Sequence, residues 1–101
     1  DFTFGLWDNN QVTPIGKAYF GFTDEELKKL DKFVRNNTIK KFGPVREVEK
    51  TFVIEIAFDA VNESNRHKSG VALRFPRIKR LREDKPASEV IQLSQFKSEF
   101  L

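Results

Sequence analysis

From Arg74 to Pro86 the chain reads Arg-Phe-Pro-Arg-Ile-Lys-Arg-Leu-Arg-Glu-Asp-Lys-Pro, with six Arg or Lys side chains inside twelve residues. That density constrains the local backbone. A helix would wrap those charges round most of its circumference. An extended strand sorts them by alternation and places Arg74, Pro76, Ile78, Arg80, Arg82 and Asp84 on one side. Several long cations then stand in a row on one edge, a geometry suited to a polyphosphate or a nucleic-acid backbone.

The charge is concentrated rather than general. Net charge is only +3, yet residues 66–85 carry eight Arg or Lys against Glu83 and Asp84, a local +6, so the remainder sums to −3. A basic strip on a slightly acidic body points to an anionic partner more strongly than a uniform surplus would. At 101 residues the chain is read as one domain, residues 1–101, large enough for a single modest core. It opens on a strand-like run, Phe2 to Trp7, and contains no Met. A domain excised from a larger protein is therefore expected. No apolar run reaches membrane-span length. The absence of Cys removes disulfides, thiolate metal sites and a Cys nucleophile, and fits a reducing compartment; the single His, His67, rules out paired-His mechanisms.

The patterning alternates strands with one well-marked helix. Phe2–Trp7 and Gln11–Phe20 read as a hairpin about Asp8-Asn9-Asn10, with Pro14 and Gly16 suggesting a bulge. Thr23 and Glu26 form a capping box for a helix whose core stripe is Leu27, Leu30, Phe33 and Val34; Asn36-Asn37 ends it through the left-handed tolerance of Asn. Val45 to Val61 is read as strand, with Phe52, Ile54, Ile56 and Phe58 on one side and Glu55 on the other. Asn62–Gly70 is a polar connection, Val71–Arg82 the next strand, and Ser88 the cap of a short C-terminal helix. This order fits a small OB-fold better than an SH3-like or generic α+β sandwich.

Within that frame Arg82, Asp84 and Lys85 are the sharpest constellation. Arg holds a phosphate through paired hydrogen bonds, Lys adds a mobile charge, and Asp84 orients one of the cations. Arg66, Lys68 and Ser69 offer a phosphate clamp on a flexible loop, against the plain reading of a solvated turn. His67, flanked by two cations, reads as a backbone or phosphate contact rather than a proton shuttle. Trp7, Tyr19 and the Phe residues could stack on bases, but their spacing favours core packing. Gly16 and Gly21 enclose four residues as in a P-loop, yet Phe22-Thr23 stands where Lys-Ser/Thr is required.

Three blocks in order resemble the C-terminal OB-fold domain of bacterial ATP-dependent DNA ligases. Gly16-Lys17-Ala18-Tyr19-Phe20-Gly21-Phe22-Thr23-Asp24-Glu25-Glu26-Leu27 is similar to the start of that domain's first helix. Phe52–Phe58 with Ser64–Gly70 is similar to the strand and loop before the last nucleotidyltransferase motif, and Arg74–Lys85 resembles the motif itself. The resemblance implies a five-stranded Greek-key β-barrel of the OB type with one helix between strands and a short C-terminal helix. Lys17, Arg66, His67, Lys68, Ser69, Arg77 and Arg80 are the expected DNA contacts on their own chemistry, while the resemblance implies ATP-phosphate contacts at Arg74, Arg82, Asp84 and Lys85. It also implies a parent enzyme that uses ATP and Mg²⁺ to seal nicked double-stranded DNA, a companion adenylation domain in the same polypeptide, a monomer, no membrane, and a cytoplasmic location. No Lys-x-Asp-Gly nucleophile motif occurs in the chain, so the fragment alone is expected to be inactive. The OB domain of an mRNA capping enzyme and a stand-alone module for single-stranded nucleic acid are the alternatives.

Overall fold

In the computed structural model, which describes residues 2–18 and 21–101, the apolar alternation resolves into eight short strands and two α-helices. Tyr19 and Phe20, and with them the middle of the first resembling block and the stacking role considered for Tyr19, lie outside the described residues. β1 (Phe2–Asp8) and β2 (Gln11–Ala18) pair antiparallel about Asn9, whose φ of 61° is one that Asn tolerates. Phe4 faces Gly16 while Gly5 faces Pro14, so Ile15 is the extra residue of a bulge and points into the core. A Cβ on Gly5 would sit 2.3 Å from the Thr13 carbonyl oxygen, which fixes Gly there.

α1 (Asp24–Asn36) begins with the expected capping box: the Glu26 amide donates to the Thr23 hydroxyl at 3.1 Å, and the Thr23 amide donates to Glu26 Oε1 at 3.0 Å. Leu30 is buried and Phe33 packs on Phe52 at 4.8 Å between ring centroids, while Leu27 at the stripe's edge is exposed. The helix does not end in the left-handed conformation expected of Asn. Asn37 stays at φ −127°, its side-chain amide donates to the Phe33 carbonyl at 2.9 Å, and the Thr38 hydroxyl donates to the Val34 carbonyl. Side chains satisfy the last carbonyls, so the backbone need not reverse.

β3 (Thr38–Phe42) and β4 (Val45–Val48) form a second hairpin about Gly43-Pro44 and share no ladder with any other strand among the described residues. The two long strands expected from the sequence are each interrupted. Val45–Val61 divides into β4, β5 (Ile54–Ala57) and β6 (Ala60–Glu63), and Val71–Arg82 divides into β7 (Val71–Arg74) and β8 (Arg77–Leu81). Phe75 adopts φ 52° and Pro76 has no amide to donate, so the ladder cannot run straight through that point. The breaks coincide: β5 pairs β8 and β6 pairs β7, joined where the Asp59 amide donates to the Arg74 carbonyl at 2.9 Å. The result is one long hairpin, bent in the middle and closed by loop 64–70.

Ser88 does not cap the C-terminal helix. It lies in a 3-10 turn at Ala87–Glu89, and extended Val90 separates that turn from α2 (Leu93–Phe100), which starts at Gln92 without a side-chain cap. Leu93 and Phe96 of α2 join Ile15 and Val71 as the buried centre, with Phe4, Leu6, Phe58 and Leu73 packed around them. The indole of Trp7 closes one side by donating to the Ala87 carbonyl at 2.7 Å.

The architecture is the expected mainly-β, OB-like domain with a helix between strands and a short helix at the end. It differs in closure. Strand pairs β1–β2, β3–β4, β5–β8 and β6–β7 form four separate ladders rather than a five-stranded closed barrel. Bulges, the Phe75-Pro76 break and the free-standing second hairpin account for the difference. No helix among the described residues is long and apolar enough to cross a membrane.

Candidate anion-binding site

The end of β8 is fixed from two sides before its charges are considered. The Leu81 amide donates to Glu26 Oε2 of α1 at 2.8 Å, and the Arg82 amide donates to the Val53 carbonyl at 3.0 Å. The chain then turns, with the Lys85 amide reaching the Arg82 carbonyl at 3.3 Å, and Lys29 of α1 bridges Glu83 at 3.2 Å. Arg82 and Lys85 thus stand on a turn that helix and strand both hold.

Glu55 gathers the cations. Its register with Arg80 shifts at Ile56, which faces Ile78, so Lys79 is an extra residue and both Lys79 and Arg80 are exposed. Arg80 Nε and Arg82 Nη1 each donate to Glu55 Oε1 at 3.1 Å, and Lys79 Nζ lies 3.4 Å from Oε2. Asp84 grips Arg82 from the other side, accepting from Nε through Oδ1 and from Nη2 through Oδ2, both at 3.1 Å. Arg80, and then Arg82, hold the Glu55 carboxyl below its ordinary range against partial desolvation. Asp84 is lowered chiefly by Arg82, and Arg82 is raised chiefly by Asp84 and then Glu55. A guanidinium has five N–H donors. Three of those on Arg82 are engaged, leaving one on each terminal nitrogen.

Lys85 has no carboxylate in ion-pair reach among the described residues. With Arg82 and Glu55 it borders an open depression of about 220 Å³, walled by Val53, Ile56, Val90 and Ile91. The arrangement holds the Arg82 guanidinium in a fixed orientation beside Lys85, over a floor that is apolar on one side. Guanidinium and ammonium groups side by side form a cradle of the chemistry that can hold a phosphate.

The remaining sequence candidates are spread out. Arg74 does not join the cradle: the whole of β8 separates it from Arg82, and its guanidinium lies over the exposed Phe75 ring at 5.6 Å. Arg77 Nη1 donates to Asp59 at 3.0 Å and to the Phe75 carbonyl at 2.9 Å. On loop 64–70, Arg66, His67 and Lys68 are exposed, and His67 Nδ1 meets the Ser64 hydroxyl at 2.7 Å. Ser69 turns inward. It is fully buried, and its hydroxyl both donates to the Val71 carbonyl at 3.2 Å and accepts from the Val71 amide at 3.3 Å. Lys17 is exposed on β2 opposite Thr3.

Sequence reasoning missed two features. Glu55 was legible as the polar residue of its strand, but only the bulge shows that three cations converge on it. Lys40, Lys41 and Arg46 on the second hairpin are exposed without a carboxylate in ion-pair reach among the described residues, and which of them share a face depends on a register that the sequence alone does not show.

Comparison with known proteins converges on one group. The family model described as the ATP dependent DNA ligase C terminal region matches residues 1–85, ending at Lys85 of the cradle. The chain is 48% identical over 95 residues to a probable DNA ligase of Koribacter versatilis, covering 94% of this chain and 16% of that protein. It is 44% identical over 97 residues to a probable DNA ligase of Opitutus terrae, covering 93% of this chain and 10% of that protein. A DNA ligase of Methanococcus aeolicus is 39% identical over 84 residues, which is 83% of this chain and 15% of that protein. The chain therefore spans only a sixth or less of the length of these relatives.

Proposed function

The chain belongs to the family of ATP dependent DNA ligase C terminal regions, and from that premise we propose that its cradle orients the β- and γ-phosphates of ATP while a companion domain forms a lysyl-adenylate. The observation that carries this reading is the turn Arg82–Lys85, where a two-point carboxylate grip fixes Arg82 and Lys85 stands beside it over the depression. Charge grows on the pyrophosphate leaving group during adenylyl transfer. Preorganised cations offset that growth without reorganising solvent. Mg²⁺ would enter with the nucleotide and supply further charge neutralisation. The later steps of the proposed parent reaction are AMP transfer to the 5′-phosphate of a nick and sealing by the 3′-hydroxyl. In those steps the exposed cations of loop 64–70, Arg66 and Lys68, would contact the duplex. Inward-facing Ser69 leaves that set. Ligase-named relatives remove the support for the capping-enzyme alternative.

The two steps separate the roles. Lys85→Ala in the full-length enzyme is expected to slow adenylate formation by roughly 30- to 1000-fold, the equivalent of about 2–4 kcal/mol for a charge-assisted phosphate contact at a prepared site. Sealing of DNA that already carries a 5′-adenylate needs no ATP and should stay near the unmodified rate. Equal damage to both steps would overturn the assignment of the cradle to ATP. The 101-residue chain alone, incubated with labelled ATP and Mg²⁺, should acquire no covalent label.

A further inference from the structure

We propose that the β3–β4 hairpin is a second phosphate-backbone contact for duplex DNA, made by the face that carries Lys41 and Arg46. The inference rests on DNA being the partner of the domain, but it concerns a surface remote in sequence from the cradle and from loop 64–70.

Register sorts the hairpin into two faces. Lys41 stands directly opposite Arg46, while Phe42 faces Val45 and Lys40 faces Glu47. Neighbouring residues on a strand point to opposite sides, so Lys41 and Arg46 share one face and Phe42, Val45 and Lys40 the other. The contact of Lys40 Nζ with the Phe42 ring, 5.5 Å from its centroid, agrees with that division. Like charges directly across a ladder repel, with Cβ atoms about 5 Å apart. No carboxylate lies in ion-pair reach of Lys41 or Arg46 among the described residues; Glu47 is taken by Lys50 at 3.2 Å.

The cations on and beside β8 behave differently. Lys79, Arg80 and Arg82 converge on Glu55, Arg77 pairs Asp59, and Lys29 pairs Glu83. Among the described residues the hairpin thus presents a cationic pair without a carboxylate in ion-pair reach, on strands that share no ladder with any other. Its two charges straddle a ladder narrow enough to bridge adjacent phosphates, and a polyanion relieves the repulsion that the fold leaves in place. The opposite face, with Phe42 and Val45 more than half exposed, points away from that contact.

The test is titration of nicked duplex DNA into the isotopically labelled 101-residue chain, followed by NMR, with dissociation constants measured at several salt concentrations. Amide shifts at Lys41 and Arg46 are expected in the unmodified chain. Lys41→Ala combined with Arg46→Ala should weaken binding about tenfold at low salt and reduce the slope of log affinity on log salt by about 1.8, two phosphate contacts' worth of counterion release. Phe42→Ser with Val45→Ser, on the far face of the same hairpin, should leave both quantities unchanged. If the unmodified chain binds in a salt-dependent way and the cation variant binds equally well, the hairpin assignment falls and the DNA reading stands. If the apolar variant alone loses binding, the contact belongs to the other face and the assignment is wrong. If the unmodified chain binds no duplex at all, the DNA reading and the hairpin assignment fall together. Unchanged amide spectra of both variants outside the hairpin confirm that they fold.

Discussion

The cradle at Arg82 and the β3–β4 hairpin are both basic, but they treat their charge in opposite ways. In the cradle, Glu55 and Asp84 hold the guanidiniums of Arg80 and Arg82 at 3.1 Å, and α1 anchors the turn beneath them. In the hairpin, Lys41 and Arg46 oppose each other with no carboxylate in ion-pair reach among the described residues, on strands that among those residues pair only with one another. One region spends its charge on internal order and keeps a few donors free, in a fixed direction. The other keeps its charge available and accepts local repulsion. A fixed direction suits a ligand that must be aligned for chemistry, and available charge suits a long polyanion that need only be held.

The contrast can be broken first at the level of packing. Ile78, 3% exposed on β8, should cost about 2–5 kcal/mol when changed to Ala. Phe42→Ala at the hairpin should fall within about 0.5 kcal/mol of the unmodified chain. Chemical denaturation measures both, and comparable losses would show that the hairpin packs on the body more firmly than its exposure implies. A second measurement sharpens the ligand side. Glu55→Gln removes the charge that competes for Arg80 and Arg82, so inorganic pyrophosphate should bind the isolated chain about two- to fivefold more tightly by calorimetry, the scale of an exposed ion pair. Weaker binding would mean that Glu55 chiefly orients those guanidiniums.

Acid separates the regions as well. Glu26, Glu55 and Asp84 are all held below their ordinary carboxylate range: Glu26 by the Thr23 and then the Leu81 amide, the other two by arginines. A group with a lowered folded pKa contributes stability that is complete above its unfolded pKa and is lost as pH falls through the folded one. Melting temperature should therefore be flat at neutral pH and fall once the medium drops below the usual carboxylate range, less steeply in Glu26→Gln. An identical profile in that variant would remove Glu26 from the account. The smallest expected effect lies in the hairpin: Arg46→Glu converts a repulsive cross-strand pair into an attractive one and should stabilise the hairpin by about 0.2–1 kcal/mol. Amide exchange in β3 and β4 reads it out. No added protection would mean that Lys41 and Arg46 do not feel each other.

Much of this was legible from residues. The Thr23–Glu26 capping box and the Asn9-Asn10 turn are local chemistry, in which the deciding atoms lie within a few positions of each other. The cationic turn was readable because Arg82, Asp84 and Lys85 are neighbours in sequence. What escaped depends on register. Alternation places Ile78 and Arg80 on one side, and the bulge at Lys79 instead buries the first while exposing the second. Likewise Ser69 looked like part of a polar loop, yet it closes on the Val71 backbone in the interior. The end of α1 was misjudged because Asn37 can satisfy a carbonyl with its side-chain amide as readily as by a left-handed backbone. The Lys41–Arg46 pair could not be seen before the hairpin's register was fixed.

Glu26 carries a further implication for how the chain acquires its structure. One carboxylate oxygen closes the start of α1 on Thr23, three residues away, and the other accepts the Leu81 amide, 55 residues away. The helix can therefore nucleate early on its own capping box, but Glu26 gains its second partner only when β8 arrives. Contacts of such long range slow folding, because the intervening chain must be ordered first. Refolding kinetics should show α1 forming with partial protection that rises in a later phase shared with β8. Glu26→Gln, which keeps an oxygen acceptor but loses the charge, should slow that later phase more than the first. The residue that starts the helix would then also time the closing of the turn that bears Arg82.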